Sequence, residues 1–237
     1  MVESARRRRL ELLTPKDVIA LLAAQYGDLP RRPRRDPIDE LVLGVLSQNT
    51  SDVNSERAFA GLRGAFPSWQ SVLEARPRDI EEAIRPGGLA PTKSLRIKAM
   101  LARILRRRGS FDLSFLRETP LDEAEAWLQS LPGVGPKTAA VVLLFSLGRP
   151  AFPVDTHVHR VLLRLGLAPS GASATQAQAM WQPRLAPEEV YAFHMYLIVH
   201  GRRTCVARRP RCPECNLRDR CPSATVFHPE LSATAAP

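Results

Sequence analysis

Lysine and long apolar runs are both scarce in this sequence. Only four of its 34 basic residues are lysines, at positions 16, 93, 98 and 137, so arginine carries the positive charge almost everywhere else. No run approaches the roughly 18 apolar residues that a membrane span needs. The N-terminal stretch Arg6-Arg7-Arg8-Arg9 is not followed by an apolar segment resembling a signal peptide. These absences predict a cytoplasmic protein.

Cysteine is also scarce, and its four copies lie within 17 residues, at Cys205, Cys212, Cys215 and Cys221. In a reducing cytoplasm such cysteines are not expected to form disulfides, so four close thiolates indicate a shared metal or cluster. Structural zinc usually uses two short cysteine pairs, and only one short pair is present here. The six residues between the first two cysteines favour a [4Fe–4S] cluster, with zinc as the alternative.

Alternating apolar stretches and internal repeats are missing as well. Apolar residues recur instead at helical spacing between proline, glycine and capping signals, which predicts an all-α protein. Residues 1–13 and 223–237 are predicted as flexible tails. Helices are predicted over about 15–26, 38–46, 53–66, 68–75, 78–84, 92–108, 121–128, 136–147, 156–165, 173–184 and 187–201.

Positive charge is abundant. The formal net charge is +10 and the isoelectric point is about 10.3, on a chain that is 44% hydrophobic. A folded protein with a cationic surface most readily binds nucleic acid, although an arginine-rich composition alone is weak support for that partner.

The stretch Leu131-Pro132-Gly133-Val134-Gly135-Pro136-Lys137-Thr138 lies between two helix-period segments and predicts a helix-hairpin-helix. Gly133 and Gly135 are expected to supply the φ freedom of the turn and to let backbone amides approach a phosphate. Pro136 suits the first position of the second helix.

Lys137 falls in the first turn of that helix. The helix dipole there disfavours an ammonium, and a chain that otherwise uses arginine has placed a lysine at this point. Lysine can act as a nucleophile, whereas arginine cannot lose its proton. A surface phosphate contact is the alternative interpretation.

Four features together resemble the endonuclease III branch of the helix-hairpin-helix DNA glycosylases. They are LPGVGPKT at 131–138, VDTH at 154–157, HGRRTC at 200–205, and the cysteine spacing. The resemblance covers about residues 15–222. It implies a six-helix domain over 30–149 and an iron–sulfur domain built from 14–29 and 150–222, with duplex DNA held in a cleft between them.

The resemblance also implies roles for individual residues. Lys137 and Asp155 match the catalytic lysine and aspartate, with a helix N-cap as the alternative role for Asp155. Leu89 matches a residue that wedges into the duplex, with a buried core position as its alternative. Asn49, with Gln48 beside it, matches a polar residue that fills the space left by the extruded base. Arg208, Arg209 and Arg211 lie in the cysteine loop and are expected to bind backbone phosphate.

The implied function is a bifunctional DNA glycosylase and abasic-site lyase acting on oxidised pyrimidines in base excision repair, as a monomeric, nucleoid-associated protein. One rival is a mismatch-specific uracil, thymine or adenine glycosylase of the same fold, which typically lacks the lysine. Another is a non-catalytic iron–sulfur DNA-binding module. If Lys137 does not react, Lys93 is the next candidate nucleophile.

Three departures from the family pattern bear on substrate range. Pro136 stands where arginine is frequent, Ser47-Gln48-Asn49-Thr50 replaces an Ala-Gln pattern, and Ala90-Pro91-Thr92 replaces an aromatic-Asn pair.

Overall fold

A computed structural model describes residues 13–231, and these residues contain helices and no strand, which confirms the all-α prediction. The predicted arm at 6–9 lies outside them, as do residues 232–237. None of the described helices has the length and apolar character that crossing a membrane requires. Over the described range the α-helices are α1 Pro15–Tyr26, α2 Pro37–Leu46, α3 Asp52–Ala65, α4 Trp69–Glu74, α5 Pro77–Ala83, α6 Ala90–Arg108, α7 Leu121–Gln129, α8 Pro136–Val141, α9 Thr156–Arg164, α10 Ala174–Trp181, α11 Val190–Arg203 and α12 Ala224–Phe227.

The helices begin where local chemistry allows it. Thr14 and Asp17 form a reciprocal capping box at the start of α1, with amide-to-oxygen distances of 3.2 and 3.0 Å. Asp36 accepts a 2.8 Å bond from the amide of Ile38 at the start of α2. In both α1 and α2 a proline occupies the first turn, where its missing N–H costs nothing.

The described residues divide into two compact units. Residues 33–151, here the hairpin unit, form one; residues 13–32 and 152–231, here the cysteine unit, form the other. The predicted domain boundaries lie at 29/30 and 149/150, and the DNA-binding roles assigned to those domains stay predictions.

The core of the hairpin unit surrounds α2, which is apolar on nearly all sides. A helix of this kind is stable only when other helices cover it, and α3, α6 and α8 do so. Gly44 of α2 lies against α8 so closely that a Cβ there would be 2.6 Å from Cγ2 of Thr138. This contact fixes the position of the first turn of α8, which carries Lys137.

The second hairpin helix continues beyond α8 as a π-helical turn, Val142–Ser146. The amide of Leu147 donates to the carbonyl of Val142 at 3.2 Å, which closes the wider turn. The apolar run predicted an uninterrupted helix here. Periodicity does not distinguish one wide turn in a fully buried segment from regular α-helix.

The core of the cysteine unit is aromatic. Phe193 of α11 packs between Phe152 and Trp181, with ring centroids 5.5 Å apart in both pairs. Helices α9 and α11 approach closely because residue 201 is glycine: a Cβ there would be 2.9 Å from Cβ of His157.

Part of the segment predicted as a flexible C-terminal tail is folded. Residues 224–227 form α12, in which Ala224 is buried. The guanidinium of Arg164 lies 4.5 Å from the centroid of the Phe227 ring, and Nε2 of His228 is 2.9 Å from the carbonyl of Pro210. The low-complexity composition of the tail hid these two contacts, whose partners are distant in sequence.

Candidate active site and cysteine centre

The hairpin turn between α7 and α8 uses its two glycines differently. Gly133 has φ of +82°, as predicted for a residue needing left-handed freedom. Gly135 has φ of −100°, which any residue adopts, so the φ argument for Gly135 was wrong. A Cβ at Gly135 would meet nothing within 4 Å. Neither the backbone conformation nor internal packing therefore requires glycine at 135.

Lys137 follows Pro136, which is the first residue of α8, as predicted. The Lys137 side chain is exposed, whereas Thr138 and Ala139 beside it are buried. No side chain caps α8, so the first amides of the helix stay open to a ligand. The hairpin thus presents one amine to solvent beside a helix N-terminus.

Gln48 connects the hairpin turn to the neighbouring helices. Its Nε2 donates to the carbonyl of Gly133 at 3.0 Å, and its Oε1 accepts from Nη1 of Arg96 at 2.8 Å. Both ends of the amide are thus engaged inside the hairpin unit. Among the described residues, the exposed Asn49 side chain has no hydrogen-bond partner, so Asn49 is the member of the pair left available.

Two exposed residues of the hairpin unit have left-handed backbone conformations that are unfavourable for residues with a Cβ. Asn49 has φ of +54° and Leu89 has φ of +51°. Leu89 is 57% exposed, which removes the core position as an explanation for this leucine. A protruding leucine held in a strained conformation has the form expected of a wedge.

Lys93 lies at the start of α6 and is 1% exposed. Its Nζ donates to the carbonyls of Leu46 and Gly87, at 2.7 Å each. Burial, with a smaller contribution from Arg96, lowers the pKa of Lys93. Because its amine is enclosed and bonded, Lys93 is unsuited to act as the alternative nucleophile considered from the sequence.

Asp155 caps α9 in the cysteine unit. Its Oδ1 accepts from the amides of His157 at 2.9 Å and Val158 at 2.8 Å, which confirms the capping prediction. Its Oδ2 has no donor among residues 13–231. The half-buried carboxylate therefore caps the helix with one oxygen, while the other has no donor within the described residues.

All four cysteines line one cavity of the cysteine unit. Within residues 13–231 no three His, Cys, Asp or Glu side chains are placed to hold a single metal ion. Burial raises the pKa of Cys215 to about 12 and raises those of Cys212 and Cys221 as well. Four soft donors around a cavity fit a polynuclear cluster of the [4Fe–4S] type.

Polar groups behind the cavity hold Cys215. The two ring nitrogens of His200 lie 2.8 Å from the Tyr26 hydroxyl and 3.7 Å from Sγ of Cys215. The Tyr26 hydroxyl also bonds Oγ1 of Thr204 at 2.7 Å. Burial lowers the pKa of His200 to about 4, so the ring is neutral at neutral pH. His200 thus acts as a packed neighbour of a thiol, and the sequence did not reveal that role.

Two arginines of α9 fix the start of the cysteine loop, residues 205–212. Arg160 donates to the carbonyls of Cys205 and Gly201 at 3.0 and 2.7 Å. Arg164 donates to the carbonyl of Val206 at 2.8 Å and lies 3.4 Å from Sγ of Cys205. These roles were missed, because on a chain this rich in arginine nothing in the sequence distinguishes a bracing arginine from a surface one.

Three arginines within the cysteine loop itself face solvent. Arg208, Arg209 and Arg211 are exposed, and none of them forms an ion pair with a described residue. Arg209 has φ of +52°, so the loop turns sharply at its centre. The loop is a short cationic projection, available to a polyanion.

Comparison with known proteins agrees with these features. The model of the HhH-GPD superfamily of base excision DNA repair proteins matches residues 42–184. Endonuclease III of Treponema pallidum is 37% identical over 216 residues, covering 90% of this chain and 98% of that protein. A putative DNA glycosylase of Arabidopsis thaliana is 38% identical over 193 residues, covering 81% of this chain and 63% of that protein's length.

Solved structures show the same likeness. A trapped covalent intermediate of endonuclease III with DNA superposes with a TM-score of 0.77 at 28% identity, covering 90% of this chain and 98% of the other. A thermostable thymine-DNA glycosylase, at 19% identity and a TM-score of 0.70, shares the fold. The chain belongs to the endonuclease III family of the HhH-GPD superfamily, which confirms the resemblance noted in the sequence.

Proposed function

We propose that this protein is a bifunctional DNA glycosylase and abasic-site lyase that removes oxidised pyrimidines from duplex DNA in base excision repair. The observation that carries the proposal is the exposed amine of Lys137 in the first turn of α8, beside amides that no side chain caps. Membership of the endonuclease III family supports the same reaction.

In the proposed mechanism Lys137 is the nucleophile. Its amine attacks C1′ of the deoxyribose as the bond to the base breaks, and the base leaves with the bonding electrons and takes up a proton. Asp155 activates the amine or stabilises the positive charge that develops on the sugar. The amine loses its proton and the C1′–O4′ bond of the sugar breaks, with O4′ taking up a proton, and the open-chain sugar is then joined to Lys137 as an imine. The imine makes the C2′ proton acidic, and loss of that proton expels the 3′ phosphate.

Other residues bind and open the duplex in this proposal. Leu89 enters the stack while Asn49 occupies the space left by the extruded base. The amides of Gly133 and Gly135 bind phosphate, and so do Arg208, Arg209 and Arg211 of the cysteine loop. The duplex is thus held by the domains predicted over 30–149 and over 14–29 with 150–222, and the enzyme works as a monomer in the cytoplasm, at the nucleoid.

We assign a [4Fe–4S] cluster to Cys205, Cys212, Cys215 and Cys221, on the ground that all four thiols line one cavity. Such a cluster supplies fixed thiolate–iron bonds, which hold the loop in one shape. The cationic loop would depend on those bonds because its residues 205–211 form no helix of their own.

Borohydride trapping tests the central role of Lys137. Reduction of the imine on a duplex with one abasic site is expected to give a covalent protein–DNA adduct that maps to Lys137. Lys137→Arg keeps the positive charge but forms no imine, so it should abolish the adduct while sparing most of the affinity for the abasic duplex. A normal yield of adduct from Lys137→Arg would refute the mechanism. Lys16→Arg on α1 is the matched control and should trap normally.

A further inference from the structure

The buried ammonium of Lys93 joins two segments that are separate in sequence. It donates to the carbonyl of Leu46, the last residue of α2, and to that of Gly87, the last residue of the 3-10 turn Arg85–Gly87. Helix ends leave such carbonyls without partners, and a cation is favoured beside them. Burying an ammonium is costly, so its place here calls for an explanation beyond the filling of space.

Each of these carbonyls lies two or three residues before a residue with a left-handed backbone conformation. Leu46 leads through two residues to Asn49, with φ of +54°, and Gly87 leads through one residue to Leu89, with φ of +51°. The amide of Lys93 also donates to the carbonyl of Leu89 at 3.0 Å. Conformations of this kind persist only where the surroundings hold them, and Lys93 is the side chain bonded to the base of both loops.

From this arrangement we infer that Lys93 is a positioning residue for base extrusion. It holds residues 88–89, here the Leu89 loop, and residues 47–51, here the Asn49 loop, as one rigid unit. The inference rests on the function proposed above, in which these two residues enter the duplex. A wedge works only if its loop resists being pushed back, so preorganisation lowers the cost of opening the duplex. The hydrogen bonds of Lys93 go to Leu46, Gly87 and Leu89 and not to the hairpin turn or α8, so its loss should slow extrusion and spare the chemistry at Lys137.

Two substrates separate extrusion from chemistry in a single-turnover experiment on the full-length, cluster-containing protein. One duplex carries thymine glycol, an oxidised pyrimidine, opposite adenine, and the other carries an abasic site at the same position, where no base has to leave the stack. Lys93→Met keeps the side-chain length without the charge. It should slow excision from the first duplex roughly tenfold, equal to ~1.4 kcal/mol, and change cleavage of the second by less than about twofold.

The control is Lys98→Met. Lys98 lies on the same helix and donates to the carbonyl of Ala75, away from both loops, so its loss should affect neither substrate selectively. In the double variant of Lys93→Met with Leu89→Ala, excision should be no slower than in Leu89→Ala alone, because both changes disable one device. Equal losses on the two duplexes, no loss, or additive losses would overturn the inference.

The outcomes also distinguish this inference from the proposed function. If the wild-type protein cleaves the abasic duplex and Leu89→Ala is selectively slow on thymine glycol, the function stands and Lys93→Met decides the inference alone. If Lys93→Met does not fold, Lys93→Arg replaces it, since a guanidinium keeps the charge but does not reproduce both 2.7 Å contacts. Failure of both variants to fold would assign Lys93 to stability and reject the positioning role.

Discussion

The two units differ in what completes their sites. In the hairpin unit the polar groups bond one another: Gln48 bridges Gly133 and Arg96, and Lys93 bridges two helix ends. In the cysteine unit the thiols line a cavity, and burial raises the pKa of Cys215 to about 12. Such a thiol becomes a metal ligand only by losing its proton on binding. The polar groups of the hairpin unit thus find partners within the chain, whereas the thiols of the cysteine unit would be completed by the proposed cluster.

Cys212→Ser should have the largest effect and sharpens this contrast. Structural metal binding is worth on the order of 10 kcal/mol, so losing one ligand should remove the visible absorption and iron and lower the melting temperature strongly. Lys137→Arg, in the hairpin unit, should keep the visible absorption, the iron and the melting temperature. Iron analysis with thermal unfolding measures this, and stoichiometric zinc without iron in native protein would contradict the cluster assignment.

Gly44→Ala tests how tightly the hairpin unit is packed. The new methyl would meet Cγ2 of Thr138 at 2.6 Å, and overpacking of this kind costs about 1–3 kcal/mol. Because α8 would shift, the trapping yield at Lys137 should fall too. Gly64→Ala on α3 is the control: nothing lies within 4 Å of its Cβ, and alanine should stabilise that helix by up to about 1 kcal/mol. If Gly44→Ala and the wild-type protein had equal free energies of unfolding in denaturant, the contact between α2 and α8 would be loosely packed.

Asp155 allows capping and chemistry to be separated within the cysteine unit. Asp155→Asn keeps an oxygen for the amides of His157 and Val158, so stability should change little while base removal slows. Asp155→Ala should in addition lose about 1 kcal/mol of stability. Ser173→Ala, which removes the cap of α10, should lose stability without slowing base removal. Undiminished base removal in Asp155→Asn would leave the residue as a cap alone.

The smallest expected effect concerns the exposed loop. Replacing Arg208, Arg209 and Arg211 by glutamine should lower the slope of log affinity against log salt by up to about 2.7, since each phosphate contact contributes ~0.9. Abasic-site cleavage at saturating enzyme should persist. The control is a variant that removes the same number of charges at Lys16, Arg76 and Arg78. An equal change of slope in that variant would show that the loop contributes only through the overall charge of the protein.

What the sequence predicted correctly depends on local chemistry. The start of α1 after Thr14, the proline that opens α8 and the cap at Asp155 each follow from a few neighbouring residues. Gly133 belongs with them, because a tight turn needs left-handed freedom at that point. The four thiols also line one cavity, as their spacing suggested.

What the sequence did not reveal depends on contacts between distant segments. Lys93 appeared as a spare amine, and only the positions of Leu46 and Gly87 show that it is an internal bond donor. The fold of residues 224–227 likewise depends on partners such as Arg164, far away in the chain. The scarcity of lysine was the one signal that pointed to Lys93, since a chain that prefers arginine keeps lysine where a compact ammonium fits.

The lysine-poor surface makes the protein unusually simple to label. Of the four lysines, Lys93 is enclosed and Lys98 is half-buried and bonded to a carbonyl, which leaves Lys16 and Lys137 as exposed side-chain amines. An amine-selective reagent applied with and without DNA therefore reports on Lys137 against one internal reference. Reductive methylation with isotopically labelled formaldehyde would give, besides the signal of the N-terminal amine, two resonances from exposed lysines, one of them at the centre of the proposed reaction.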